Sequence, residues 1–147
     1  MRPDAPLPAE LPRPAGALRG PAGLVFFLLV SFGVAALGSI FTGPEIPGWY
    51  ASLRKPDWTP PPRAFGIVWA VLFALMAAAA WRAWRTAGPA RAEGALALYG
   101  LQLVLNALWS GLFFRLHRPD LALLDIAALW AAILATGVAF WRLDRAA

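Results

Sequence analysis

The chain has 147 residues, 60% of them hydrophobic and only 14% charged, with a mean hydropathy of +0.60. An ordinary soluble domain carries about 25% charged residues, so polar side chains are too scarce here to clothe a water-soluble globule. With no cysteine, disulfides, thiolate metal sites and cysteine nucleophiles are excluded. The net charge of +5 comes from Lys and Arg grouped beside apolar blocks, the pattern of membrane-edge anchoring rather than of nucleic-acid binding.

Residues 1–22 hold Pro3, Pro6, Pro8, Pro12, Pro14 and Pro21, which remove amide donors and fix φ too often for regular structure, and they predict a disordered tail. An uncharged block follows over about 23–42 and stops at Gly43-Pro44. Ala36-Leu37-Gly38 resembles a signal-peptide cleavage site, but the apolar run exceeds a typical signal core, so the block is read as a retained helix. A second block, about 64–84, opens after Pro60-Pro61-Pro62, where proline suits the first helical turn. The third covers about 95–114 after Gly88-Pro89, and the fourth about 121–141 after Pro119-Asp120.

Each block is about 20 residues long, the length that crosses a hydrocarbon layer as helix, and none alternates in polarity as a barrel strand does. The expected fold is all-α: an integral membrane bundle of four transmembrane helices. Arg2, Arg13, Arg19, Arg82, Arg85, Arg91, Arg142 and Arg145 fall on one side, and Arg54, Lys55, Arg63, Arg115 and Arg118 on the other. That imbalance predicts a cytoplasmic N-terminus for a multi-pass protein of a bacterial cell-envelope membrane.

Four places carry candidate chemistry. The 43–63 connection combines Trp49, Tyr50 and Trp58 with Arg54, Lys55 and several prolines. It reads either as an aromatic belt with cationic anchors or as a structured lid over a pocket, its cations facing an anionic group. On the third helix Tyr99, Gln102, Asn106, Trp109 and Phe113 share one stripe. Amides there serve either to join helices or to meet a ligand. On the second helix Trp69, Phe73 and Met76 lie opposite Ala77 to Ala80 and suit packing or stacking on a flat ligand. Asp125 is the one carboxylate inside an apolar block, either functional or paired with Arg115 or Arg118. Ser31, Ala35, Gly38 and Thr42 form a packing edge on the first helix, and His117 is read as an exposed turn residue without a role. No metal cluster, nucleotide loop or catalytic set is present, so hydrolytic and metal-dependent chemistry lack support.

These segments together resemble a known family. Trp49-Tyr50-x-x-Leu53-x-Lys55-Pro56-x-Trp58-x-Pro60-Pro61, then Phe65, Trp69 and Met76, then Tyr99-x-x-Gln102-Leu103-x-Leu105-Asn106-x-x-Trp109-x-x-x-Phe113-Phe114 are similar to successive signatures of the tryptophan-rich sensory protein (TspO) family, which includes the translocator protein or peripheral benzodiazepine receptor (MBR). The resemblance covers about residue 23 to the end. It implies a membrane receptor or carrier that binds tetrapyrroles, protoporphyrin IX or haem, in an intramembrane pocket and acts in transport or regulatory sensing with no required cofactor. Light-dependent porphyrin breakdown is the enzymatic alternative, and a membrane subunit without a ligand is another. The matching pocket positions are Tyr50, Trp69, Phe73, Gln102, Asn106 and Trp109, with Arg54 or Lys55 suited to propionates. Family members have five membrane helices and often form homodimers. The fifth is not found before Ala147, so the expectation is a truncated bundle or one completed by a partner, without support for sterol binding.

Overall fold

The computed structural model describes residues 19–145, and most of the residues read as a tail, 1–18, lie outside it. Four helices long and apolar enough to cross a membrane make up the bundle: α1 (Pro21–Thr42), α2 (Pro62–Ala87), α3 (Pro89–Ser110) and α4 (Pro119–Arg145). Among the described residues there is no strand. Every helix begins on proline, which fits the first turn because its missing amide has no intrahelical acceptor there. All four extend a few residues beyond the apolar blocks. The extensions contain Arg85, Arg91, Glu93 and Arg142, polar ends that reach past the hydrocarbon while the backbone stays helical.

The expected stop at Gly43-Pro44 is not a stop. α1 passes into a tight 3-10 turn, Gly43–Glu45, and then a wide π turn, Ile46–Tyr50. Pro44 and Pro47 each sit at the start of a turn of changed pitch, where the lost i−4 bond is absorbed by a different hydrogen-bond spacing. A matching π turn, Gly111–Arg115, ends α3. Between α2 and α3 the reversal rests on Gly88, with φ 76 and ψ 169, a region essentially reserved for glycine.

Helix contacts are most extensive between α3 and α4 and between α1 and α2. The bundle is closed at one end and open at the other. At the closed end Ala77, Ala80 and Ala83 of α2 and Ala92 and Ala95 of α3 are buried, small side chains that let backbones approach where lipid offers no hydrophobic push. Phe27 and Tyr99 meet edge to face at 6.0 Å. Ser31, read from sequence as packing alone, also makes a buried hydrogen bond with the Tyr99 hydroxyl at 2.6 Å. Trp81 Nε1 donates to the Gly20 carbonyl at 3.1 Å, and Arg82 makes a bidentate pair with Asp144 on α4 at 3.0 Å. Tyr99→Phe leaves Ser31 unpaired inside this half and is expected to cost about 1 kcal/mol. Thermal unfolding in detergent micelles checks it, and an unchanged midpoint would show that the bond adds nothing.

An aromatic cavity at the open end

Toward the end where α1 and α3 finish and α2 and α4 begin, the helices part around a cavity of about 740 Å³. Its wall on α1 is made mostly of small side chains, Ala35, Gly38 and Thr42 among them, with Phe32 and Val34 beside them. Gly38 lies close against α3: a Cβ added there would stand 3.1 Å from Ser110 Oγ. The opposing walls are aromatic. Phe65, Trp69 and Phe73 come from α2, Trp109 from α3 and Phe113 from the turn after it, with Tyr50 from the π turn, while Ile126 and Leu129 of α4 close the back.

Helical spacing explains the alignment. Positions 65, 69 and 73 recur every four residues, and 106, 109 and 113 every three or four, so each set forms one stripe. Trp69 and Phe73 lie 5.8 Å apart at 36°, while Trp109 and Phe113 stack at 5.1 Å and 7°. Phe73 is buried, whereas Phe65 and Trp69 are partly open to the lipid side.

Among the described residues no charged side chain lines the cavity. Its polar groups are sparse. Asn106 is buried and donates from Nδ2 to the Gln102 carbonyl at 2.8 Å, one turn back on its own helix. Ser39 likewise donates to the Ala35 carbonyl at 2.9 Å. Such a lining suits a large apolar body that needs one or two hydrogen bonds for orientation.

Of the pocket positions taken from the resemblance, Tyr50, Trp69, Phe73, Asn106 and Trp109 line this cavity and Gln102 does not. Gln102 is buried one turn deeper, its Nε2 against Met76 Sδ on α2, so the amide joins two helices. Arg54 and Lys55 are also outside the lining. Lys55 donates to the carbonyls of Tyr50, Ala51 and Leu53 and lies 4.5 Å from the Tyr50 ring centre. Its ammonium caps the carbonyl end of the π turn, a favourable place for a cation, and is not free to face a ligand. Trp58 is 82% exposed and covers nothing, so the lid reading of the 43–63 connection does not extend to it.

Asp125 is buried on the inner face of α4 with neither oxygen partnered among the described residues. The expected pairing with Arg118 is not made, because Arg118 is held by Asp120 at 2.9 and 2.6 Å; Arg115 is exposed. The residues that sequence reasoning passed over are Glu45 and His117. His117 Nε2 meets Glu45 Oε2 at 2.9 Å, and no periodicity in either loop signals that pairing.

With this geometry in place, similarity to known proteins gives it a family. Residues 26–147 match the TspO/MBR family. Protein CrtK of Rhodobacter capsulatus is 41% identical over 115 residues, covering 74% of this chain and 67% of that protein. The tryptophan-rich protein TspO of Archaeoglobus fulgidus is 37% identical over 84% of this chain and 80% of its own length. The human translocator protein is 36% identical over 74% of this chain and 65% of its own. The match reaches from the second turn of α1 to the last residue and takes in every wall of the cavity, so this multi-pass membrane chain belongs to the TspO/MBR family.

Proposed function

We propose that the chain is a membrane receptor or carrier that takes up a flat, largely apolar tetrapyrrole, protoporphyrin IX or haem, in the cavity between its four helices, in transport or regulatory sensing. The observation that carries this reading is the lining: about 740 Å³ bounded by tryptophan and phenylalanine faces, with Asn106 among its few polar groups and no charge among the described residues. Cavities of that size, mostly apolar with a few directed polar groups, hold a single small molecule. A macrocycle stacks on the rings of Trp69 and Trp109 and is oriented by Asn106. A carboxylate drawn into a wall without counter-charge is heavily penalised. The propionates therefore stay at the aqueous end, where Arg54 and Arg115 are exposed.

Titration with protoporphyrin IX in lipid nanodiscs, followed by quenching of the eight tryptophans, tests the assignment. Trp69→Ala and Asn106→Ala are each expected to weaken binding by roughly tenfold, the worth of one aromatic stack or one buried hydrogen bond. Arg54→Ala should have a smaller effect that fades with added salt. Saturable binding of unchanged affinity in both cavity variants would place the ligand elsewhere.

A further inference from the structure

The last turns of α2 and α4 repeat one pattern. Trp81-Arg82-x-x-Arg85 stands on the first and Trp141-Arg142-x-x-Arg145 on the second. Both helices finish at the closed end of the bundle, and the bidentate bond from Arg82 to Asp144 ties the two copies together at 3.0 Å. In each copy the tryptophan and the second arginine are four residues apart, so they are neighbours one helical turn along. Each guanidinium lies over its ring: Arg85 is 4.4 Å from the Trp81 centre and Arg145 is 4.7 Å from that of Trp141. Among the described residues no other guanidinium lies over a ring.

A ring takes one face of a guanidinium by cation–π attraction and uses none of its five N–H donors. Those donors have no carboxylate to meet. Asp144 commits both oxygens to Arg82, and among the described residues neither Arg85 nor Arg145 makes an ion pair. Arg85, Arg142 and Arg145 are exposed, and Trp141 is 62% exposed. Trp81 is fixed at its other edge by the bond from Nε1 to the Gly20 carbonyl. A cation near a helix C-terminus complements the dipole, but that needs no ring beneath it. Tryptophan settles at the headgroup level and arginine reaches up to it along an apolar stem, so the two together mark the edge of the membrane.

We propose that the paired Trp-Arg-x-x-Arg ends form a clamp for an anionic phospholipid in the leaflet at the closed end. Arg85 from α2 and Arg145 from α4 donate to the phosphate oxygens, which a planar guanidinium fork fits and a point charge does not. Arg142 adds to the local positive charge. The exposed ring of Trp141 packs against the glycerol and the upper acyl chain, a contact that a soluble phosphate cannot make. A zwitterionic headgroup is disfavoured, because it brings its own cation against three arginines.

The protein in mixed micelles containing equal phosphatidylglycerol and phosphatidylcholine of the same acyl chains tests this, with native mass spectrometry counting the lipids retained per chain. The wild type should retain mainly phosphatidylglycerol. Arg85→Gln and Arg145→Gln, both at exposed positions that leave the Arg82–Asp144 bond in place, should each lower the retained ratio by roughly fivefold, the worth of one arginine at an anionic surface. Trp141→Ala changes no charge and should still lower it by about twofold, the worth of an exposed cation–π contact. Arg54→Gln with Arg115→Gln removes two charges from the opposite end and should leave the ratio as it is. A ratio unmoved by the closed-end arginines or by Trp141→Ala would overturn the clamp, as would an equal fall in the opposite-end variant, the mark of diffuse surface charge. Displacement of phosphatidylglycerol by inorganic phosphate at constant ionic strength would also overturn it, assigning the arginines to a soluble anion.

Discussion

Ala80→Leu is expected to destabilise the bundle by about 3 kcal/mol, near the upper end of what overpacking a buried site costs. Ala80 is 0% exposed, as are Ala77 on the same helix and Ala92 on α3, and three further heavy atoms have no space to enter. In water a displaced leucine would still gain by leaving solvent, but between lipid-embedded helices that gain is absent and only the lost close packing counts. Unfolding of the detergent-solubilised protein, followed by near-ultraviolet circular dichroism, measures the effect. Leu75→Ala on the same helix is the comparison: Leu75 is 61% exposed to the lipid side and its truncation should change stability by less than about 0.5 kcal/mol. Similar losses for the two variants would mean that the alanine-lined end is not closely packed. Because the helices diverge from that end to form the cavity, Ala80→Leu should also weaken porphyrin binding although position 80 does not touch the cavity.

The membrane bundle was legible in the sequence because its cause is long-range and simple: four strongly apolar blocks long enough to span lipid, separated by proline and glycine. The two aromatic stripes were legible for the same reason, since a period of three to four residues places side chains on one face whatever that face meets. Periodicity does not say what stands opposite. Gln102 and Asn106 share a stripe, yet one turn of helix decides that Gln102 meets Met76 while Asn106 meets the cavity. Lys55 belongs to the family motif, but three carbonyls at and just after the end of the π turn take its ammonium, and that turn exists only because α1 continues past Pro44. Glu45 and His117 lie 72 positions apart in sequence in two short loops. Their meeting follows from how two helix pairs dock, which no local pattern records.

Asp125→Ala should make the protein more stable, by about 1–3 kcal/mol, the ordinary penalty for a buried polar group without a partner. The side chain is 7% exposed, and both carboxylate oxygens lack a hydrogen bond among the described residues. Its neighbours on the inner face of α4 are Ala122, Leu129, Ala132 and Thr136, and Thr136 already satisfies itself by donating to the Ala132 carbonyl at 2.7 Å. Truncation removes the unmatched polar atoms and leaves a void of only a few atoms, a smaller term. Thr136→Ala is the matched control and should shift stability little in either direction. A residue that lowers stability where it stands is held there by something other than folding, and inward-facing acids in membrane helices serve function by default. The same variant should therefore be measured for protoporphyrin IX affinity: a rise in unfolding midpoint together with weaker binding would place Asp125 in the service of the ligand, through Leu129 and Ile126, which sit beside it on α4 and line the cavity. A fall in midpoint would instead show that the carboxyl has a stabilising partner in the membrane.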